Sequence, residues 1–293
     1  MNLRAAKAIP DKKVEEWILS LDLLSYLYDK NIKEKFIQSF KHWLKCSEFN
    51  KLENIHLYTN IKICNGTAHA FDTFHWRYRN KRFLFFKGEF MYHKACFKDS
   101  INWEYLDNTE LTRGDAVIIS VPFSDFGRQH ETLPIILDTC DYFNIPVLLD
   151  FAHLPCTKNI NVDLGHKCID MLTFSLSKAF HGAENLRIGL RFEKEDKDDS
   201  IDILNSVNMI NNLSLGIGLE YINKFNIDYN WKTYKDIYYQ VCSYKNLEPT
   251  DCIIFGSGGE EYKEYNRGSY INRVCISDLI GKEINARICK MGT

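Results

Sequence analysis

Lys178 stands in a hydroxyl-rich stretch of the sequence, TFSLSKAF, and is followed by Gly182 and by a second cation, Arg187. Upstream, Asp150 comes directly after the apolar run VLL, where we expect a buried strand to end. A lysine amine can attack a carbonyl and keep it as a Schiff base, and a carboxylate can stabilise a positive charge on the bound group. The same two side chains could instead form a plain surface ion pair.

Short apolar runs alternate with helix-like segments in the middle of the chain, an order typical of α/β proteins. The runs are IHLYTNIKIC, RFLFF, AVIISV, IPVLLD and MLTFS. Strands of this kind are buried on both faces, as in a parallel sheet covered by helices. We therefore predict an α/β fold with a mostly parallel sheet sandwiched by helices. Asp150 and Lys178 then lie on neighbouring loops at the carboxyl edge of this sheet, where open α/β folds bind ligands.

Three segments are expected along the chain. Residues 1–45 form an N-terminal helical segment, because apolar side chains such as Phe36, Phe40 and Trp43 recur at helical spacing. Residues 46–194 carry the α/β order and form the large ligand-binding domain. The strand and helix rhythm weakens after the charged turn EKEDKDD, which predicts a smaller α+β domain over residues 195–293.

Composition excludes several classes of protein. The 37 basic and 39 acidic residues give a net charge of -2, which leaves no broad cationic surface for a nucleic-acid backbone. No apolar run approaches the ~20 residues that span a bilayer, so we expect no membrane partner. The ten cysteines are scattered, form no CxxC pair and follow no signal-peptide pattern, which favours a reducing, cytoplasmic location and no metal site.

Several motifs occur in the order in which one large enzyme family carries them. They are ICNGTAHAF, KGEFMYHKACF, VIISVPFSDFG, LLDFAH, SLSK with RIG downstream, and SYINRVCISDLIG. Together they resemble fold-type I pyridoxal-phosphate enzymes of the aspartate aminotransferase superfamily, especially the class I/II aminotransferases, over roughly residues 25–280. The resemblance implies that Lys178 forms the Schiff base with the cofactor, pyridoxal 5'-phosphate. It implies that Asp150 keeps the pyridine nitrogen of that cofactor protonated.

A phosphate site is implied by the first motif and by the lysine segment. Gly66 allows close approach of the backbone, and the amides of Thr67 and Ala68 would face an anion from a helix N-terminus. Taken alone, Asn-Gly-Thr is also a common turn. The resemblance adds three further residues near the phosphate: Ser175, Ser177 and Arg187. The interval from Lys178 to Arg187 is one residue longer than the commonest family pattern.

Four further side chains are implied to contact the cofactor or the substrate. Tyr92 would stack on the cofactor ring, although an aromatic residue in such a run could equally be a core residue. Ser124 stands where the family has an asparagine that contacts the phenolic oxygen of the cofactor, and His153 is a second candidate donor to that oxygen. Arg273 would bind the substrate α-carboxylate through its planar fork. His153 and Arg273 could instead be a satisfied strand-edge histidine and an exposed strand arginine.

The resemblance predicts an aminotransferase that moves an amino group from an amino acid or amine to an oxo acid. It also predicts a homodimer, in which Tyr26 or Tyr28 of one subunit reaches the phosphate of the other. The chain is shorter at its N-terminus than class I/II aminotransferases, which leaves substrate choice and site closure open. Two alternatives remain. One is a decarboxylase, racemase or lyase with the same cofactor, and the other is a binding or scaffold protein without catalysis.

Overall fold

A seven-stranded sheet forms the centre of the fold. The structure is a computed structural model that describes residues 3–97 and 100–291; residues 1–2 and 292–293, at the outer ends of the first and third expected segments, lie outside the described residues. The strands are β1 (Lys51–Glu53), β2 (Asn60–Asn65), β3 (Arg82–Phe85), β4 (Asn102–Tyr105), β5 (Asp115–Ser120), β6 (Val147–Asp150), β7 (Asn161–Asp163), β8 (Ile169–Ser175), β9 (Ile188–Glu193), β10 (Leu247–Pro249), β11 (Phe255–Gly258) and β12 (Asn272–Cys275).

Helices connect and cover these strands. They are α1 (Lys12–Leu19), α2 (Ile32–Lys45), α3 (Thr67–Arg77), α4 (Tyr92–Ala95), α5 (Leu133–Phe143), α6 (Ala183–Leu186), α7 (Ser200–Ser206), α8 (Asn212–Lys224), α9 (Tyr229–Tyr244) and α10 (Ser277–Met291). In the part of the chain that the structure describes, none of them combines the length and the apolar character needed to cross a membrane.

The central sheet has the strand order β2-β9-β8-β6-β5-β3-β4. Its strand pairs are parallel except for those of β9, which runs antiparallel to both β2 and β8. Every residue of β5 and β6 is buried, which explains why their sequences, DAVIIS and VLLD, are so rich in apolar residues. The predicted α/β fold with a mostly parallel sheet is confirmed.

Helices cover both faces of this sheet. Ile119 of β5 belongs to a core that also contains Phe40 of α2 and side chains of α5 and α8. Its neighbour Ile118 points the other way, into a core that contains Phe71 of α3. Successive strand residues face opposite sides of a sheet, so the two cores share the strands without sharing side chains. The sheet is therefore sandwiched by helices, as the sequence predicts.

A smaller antiparallel sheet, with the order β10-β11-β12, packs with α9 and α10 around its own apolar core. Helices α7 and α8 pack elsewhere: Ile201 of α7 and Leu215 of α8 belong to the two cores of the large sheet. The domain boundary expected at residue 195 stays a prediction.

The strand register brings polar residues together at the carboxyl edge of the large sheet. Ser120 at the end of β5 pairs with Asp150 at the end of β6, and Asp150 pairs with Thr173 on β8. Lys178 lies on the turn that follows β8. Because β5, β6 and β8 are parallel, the loops after them leave the sheet at the same edge.

Candidate active site

Asp150 is a buried carboxylate at this edge, with only 6% of its surface exposed. Its Oδ1 accepts hydrogen bonds from the Thr173 hydroxyl at 2.7 Å and from the Ala152 amide at 3.2 Å. Burial raises the pKa of Asp150 to about 7; the Thr173 hydrogen bond opposes this rise and the Glu89 carboxylate adds to it. Oδ2 takes part in neither bond, so a cationic donor beside it would be favoured.

Lys178 presents its amine at the same edge. Its Nζ donates to Ser177 Oγ at 3.2 Å, and its backbone carbonyl accepts a hydrogen bond from Cys156 Sγ at 3.0 Å. Burial lowers the pKa of Lys178, Asp150 opposes this effect and Arg187 adds to it. A lowered pKa leaves more of the amine neutral, and the neutral amine is the form that attacks carbonyls and accepts protons.

A cup for an anion lies at the start of α3. Gly66 is the N-cap with a φ of +75°, and no side chain in the described ranges caps the helix there. The amides of Thr67 and Ala68 are among those at a helix start that have no partner within the helix. A Cβ on Gly66 would lie 2.3 Å from Nη2 of Arg187, so the guanidinium lies directly against the N-cap. Helix amides, helix dipole and guanidinium together favour a phosphate-like anion.

Ser175 and Ser177 shape the turn between this cup and the lysine. Their Oγ atoms lie 2.8 Å apart, and Ser175 Oγ also donates to the Ile188 carbonyl at 3.2 Å. The Ser177 amide donates to Ser175 Oγ at 3.1 Å. The two hydroxyls thus connect the end of β8, the start of β9 and the amine of Lys178.

His153 is buried between the large and the small sheets. Neither ring nitrogen has a hydrogen-bond partner among the described residues, and the ring meets the edge of Phe255 with 5.3 Å between centroids. Burial lowers the pKa of His153 well below its usual value, and the cations Lys178, Arg273 and Arg267 add to the effect. The imidazole is therefore neutral, and its N–H can serve a ligand oxygen. This removes the alternative of a satisfied strand-edge histidine.

The Ser124 hydroxyl donates to protein acceptors, so its proton is not free for the phenolic oxygen of a cofactor. Its Oγ donates to the Gly88 carbonyl at 3.1 Å or to Glu89 Oε1 at 3.2 Å. Its amide donates to Ser120 Oγ at 2.9 Å. With its proton engaged, the hydroxyl can accept a further hydrogen bond but not donate one. His153 is the better donor of the two candidates.

Glu89 is a buried carboxylate that the sequence interpretation missed. It accepts hydrogen bonds from the Ser120 amide at 2.8 Å, from Ser120 Oγ at 2.7 Å and from the Phe90 amide at 2.8 Å. No motif marks it, because it lies in the loop after β3 and meets Ser120 only through the placement of β3 beside β5.

Arg273 reaches from β12 towards the large sheet and is only 4% exposed. Its Nη1 donates to the Ser124 carbonyl at 2.9 Å, and its Nη2 donates to the carbonyl of Arg4. The guanidinium carbon lies 4.4 Å from the centre of the Phe255 ring. Burial lowers the pKa of Arg273 to about 10, and the charge of Arg267 adds to this effect. The alternative of an exposed strand arginine is wrong.

These groups meet at one cavity of about 440 Å³. The predicted site residues that line it are Thr67, Ser124, Asp150, His153, Lys178 and Arg273. Polar residues that the sequence interpretation did not identify also line it: Arg4, Lys94, Ser120, Asn266 and Arg267. These residues come from the N-terminal segment, from α4, from the end of β5 and from the loop before β12, so no local motif could have joined them.

Six predicted residues do not line this cavity. Five of them form the adjoining cup and turn: Gly66, Ala68, Ser175, Ser177 and Arg187. The sixth, Tyr92, lies at the start of α4, where its hydroxyl donates to Asp72 at 2.6 Å. Phe90 and Met91 line the cavity in its place. The placement of Tyr92 therefore does not agree with a ring-stacking role, because Asp72 of α3 holds it away from the cavity.

Of the two tyrosines expected to reach a second subunit, Tyr26 is engaged within its own chain. Its hydroxyl donates to Glu220, and its ring packs so closely on α8 that a Cβ on Gly216 would lie 2.1 Å from Tyr26 Cγ. Tyr28 is 84% exposed and is the better placed of the two.

Comparison with known proteins bears on the fold. No family model matches the sequence, and no curated protein matches it either. The chain is similar to a tyrosine aminotransferase from Leishmania infantum, with a TM-score of 0.64, 11% identity and coverage of 97% of this chain and 93% of that chain. It is also similar to a PLP-bound C-S lyase from Staphylococcus hominis (TM-score 0.64, 14% identity, 98% and 90% covered).

A third similar structure is the L-threonine-O-3-phosphate decarboxylase from Porphyromonas gingivalis, with a TM-score of 0.64, 14% identity and coverage of 98% of both chains. These three proteins carry out different reactions on one architecture. The chain therefore has the fold of the fold-type I pyridoxal-phosphate enzymes, as the resemblance of its motifs predicts.

Proposed function

We propose that the chain is a pyridoxal-phosphate-dependent aminotransferase. The observation that carries this proposal is the convergence of Lys178 and Asp150 on one cavity that also reaches the N-terminus of α3 at Thr67. An amine that attacks carbonyls, a buried carboxylate and an anion-binding helix end correspond to the aldehyde, the ring nitrogen and the phosphate of this cofactor. A plain surface ion pair does not account for a carboxylate so deeply buried.

The residues present fit the cofactor in two respects. The unpartnered ring nitrogens of His153 are expected where a ligand oxygen completes the site. The backbone of Gly66 lies so close to the Arg187 guanidinium that any side chain would fill the cup. When bound, pyridoxal phosphate supplies an electron sink for the electrons released at the α-carbon of the substrate.

Lys178 has two tasks in this proposal. Its Nζ would hold the cofactor as a Schiff base, and as a free amine it would move the proton from the substrate α-carbon. The lowered pKa of Lys178 favours the neutral amine that both tasks need. Ser177 Oγ, 3.2 Å from Nζ, orients it.

Asp150 would stabilise a positive charge on the ring nitrogen of the cofactor. A protonated nitrogen beside the carboxylate would bring its raised pKa down again, because an opposite charge favours the ionised acid. His153, whose ring nitrogens have no partner among the described residues, would donate to an oxygen of the bound cofactor. Each Nη of Arg273 carries a second N–H beyond those bound to backbone carbonyls, and these can bind a substrate carboxylate.

Transamination can be tested by its half-reactions. The holoenzyme is mixed with single amino acids without an oxo acid; we expect loss of the absorption band of the bound cofactor and release of one oxo acid per site. Addition of an oxo acid should then restore the band. Release of carbon dioxide would instead indicate a decarboxylase. Elimination of a side-chain group or inversion of the amino acid would indicate a lyase or a racemase.

A binding or scaffold protein is the remaining alternative, and it would leave the purified protein without a coloured adduct after incubation with the cofactor. We also propose a reducing, cytoplasmic location. It is supported by the nine cysteines whose side chains the structure describes, all of which are free thiols.

A further inference from the structure

Arg267 lies beside Arg273 at the wall of the cavity. Its Nη1 donates to the Ser124 carbonyl at 3.3 Å, the same oxygen that Arg273 Nη1 reaches at 2.9 Å. Its Nη2 donates to the Glu89 carbonyl at 3.1 Å. The two guanidinium groups thus share one acceptor, and backbone carbonyls hold both in place.

Two like charges in such a position are unfavourable unless an anion joins them. Arg273 is 4% exposed, and its Nε has no partner in the described part of the chain. Asp125 Oδ1 lies 3.7 Å from Arg267 Nη1 and offsets part of the charge. Burial raises the pKa of Asp125, which weakens that offset. The pair therefore retains positive charge that faces the cavity.

The cavity wall as a whole is cationic. Among the described residues, one carboxylate, Asp150, lines the cavity together with Lys178 and four further basic side chains: Arg4, Lys94, Arg267 and Arg273. Lys178 serves the cofactor, whose phosphate has its own cup beside Arg187. A single substrate carboxylate on Arg273 therefore leaves Arg267 and Lys94 facing the substrate.

We propose that the substrate carries a second anionic group and that Arg267 is the ligand of this group. The inference rests on the proposed pyridoxal-phosphate function and extends it to the class of substrate. A planar guanidinium binds carboxylate and phosphate oxygens in two parallel hydrogen bonds, so either group fits. The substrate is thus an amino dicarboxylic acid or an amino acid with a phosphate ester, and not an amino acid with a neutral side chain.

Binding of unreactive acids to the holoenzyme tests this without turnover. Glutarate and pentanoate have the same number of carbons and differ in the second carboxylate, and 3-phosphonopropionate replaces that carboxylate by a phosphonate. Isothermal titration should give a dissociation constant for glutarate or for the phosphonate at least about tenfold lower than that for pentanoate, the usual worth of a charged hydrogen bond. The tighter of the two dianions identifies the second group.

Substitution of the arginine localises the effect. Arg267→Met should remove most of the preference for the dianion over pentanoate, whereas Arg267→Lys should retain part of it. Arg113→Met is the matched control: it removes an exposed arginine just before β5, at the opposite edge of the sheet, and should keep the preference. Arg267→Met with full preference would overturn the proposal.

Equal binding of glutarate, 3-phosphonopropionate and pentanoate to the wild-type holoenzyme would also overturn it, whether or not the variants fold. This result differs from failure of the proposed function. A protein that never forms a coloured adduct with pyridoxal phosphate lacks that function, whereas a coloured protein that does not discriminate among the acids lacks only the second anion site.

Discussion

Asp150 and Lys178 owe their unusual protonation behaviour to the same physical cause. Removal from water disfavours the charged form of each group, so burial raises the pKa of the carboxyl and lowers that of the amine. The charge of each group partly opposes the effect of burial on the pKa of the other. With a pKa of about 7, Asp150 gains or loses its proton near neutral pH in response to small changes in its surroundings, such as a bound cation.

The raised pKa of Asp150 predicts a pH-dependent stability of the cofactor-free protein. An aspartate in the unfolded chain loses its proton near pH 4, whereas folded Asp150 keeps it to about pH 7. The folded state then binds the extra proton, so this group lowers the free energy of unfolding as pH rises from about 4 to 7, by up to about 1.4 kcal/mol per pH unit.

Asp150→Asn should lack this component, and urea unfolding of both proteins at pH 5 and pH 7 measures it. The variant should lose less stability than the wild type between the two pH values. Parallel pH profiles for the two proteins would show that Asp150 is ionised throughout.

Gly66→Ala should weaken cofactor binding and stability together. The new Cβ meets the Arg187 guanidinium, and an L residue at a φ of +75° and a ψ of 165° costs about 1–3 kcal/mol in strain. Gly114→Ala is the control, because its Cβ would meet nothing nearer than Thr112 Oγ1 at 3.6 Å. Equilibrium dialysis and urea unfolding supply the two readouts. Unchanged affinity for pyridoxal phosphate in Gly66→Ala would show that Gly66 and Arg187 do not form the phosphate site.

At the scale of single residues, the sequence indicated those side chains whose neighbours lie within a few positions. Lys178 with Ser177, and Gly66 with Thr67, are local pairs. Glu89 and Arg267 were missed, because they meet Ser120 and Ser124 only after distant strands and loops come together. Tyr92 was misplaced for a related reason: the hydrogen bond to Asp72 of α3 cannot be read from its own segment.

At the scale of elements, β9 is the strand of the large sheet that runs antiparallel to both of its neighbours. Arg187 directly precedes this strand, and a Cβ on Gly189 within it would lie 2.5 Å from the backbone of Gly66. The strand also carries the fully buried Arg191, whose Nη1 and Nη2 donate to Asp199 at 2.6 Å and Asp202 at 2.8 Å. This ion-pair network ties β9 to α7 and so fixes the strand that forms one wall of the phosphate cup.

Arg191→Met should therefore destabilise the protein by up to about 3–5 kcal/mol, because it removes the buried cation that Glu193, Asp199 and Asp202 share. Arg77 and Lys62 also pair with these carboxylates and compensate for part of the loss. The effect is measured by urea unfolding at neutral pH. Arg79→Met, which removes an exposed arginine on the loop after α3, should stay within about 0.5 kcal/mol of the wild type. A loss of similar size in both variants would indicate that the network does not stabilise the fold.

Strands and helices with a clear apolar pattern could be predicted from the sequence. The sheet against which a helix packs could not. The buried strands β5, β6 and β8 follow from apolar runs, and α5 follows from helical spacing between two strands. Helices α7 and α8 lie after the charged turn that suggested a new domain, yet their apolar side chains fill the cores of the large sheet. Nothing in their own spacing states which sheet they cover.

At the scale of the whole molecule, an exposed apolar face lies beside the phosphate cup. It combines the turn 24–28 with the segment 203–209, and its exposed apolar side chains are Leu24, Leu27, Tyr28, Ile203, Val207 and Met209. Residues next to the two segments connect them: Lys33 donates to the Asn205 carbonyl at 2.9 Å, and Asn212 Nδ2 donates to the Leu27 carbonyl at 3.4 Å. Met209 and Arg187 line a common cavity of about 380 Å³.

This face supports the prediction of a homodimer in which Tyr28 approaches the phosphate cup of the second subunit. Light scattering of the holoenzyme should give about twice the chain mass of 34.4 kDa. The double variant Leu27→Glu, Met209→Glu should shift the equilibrium to monomer, whereas Tyr142→Glu, on an exposed position of α5, should not. A monomeric wild-type holoenzyme with full activity at every concentration would contradict the prediction.

The central claim is that Lys178 holds pyridoxal phosphate covalently. The most direct measurement is reduction of the cofactor-treated protein with borohydride, followed by proteolysis and mass spectrometry of the labelled peptide. We predict one cofactor-derived group per chain on Lys178, and no label at this peptide in Lys178→Ala. Absence of any label in the wild type, or a label on Lys158 or Lys167 instead, would contradict the account.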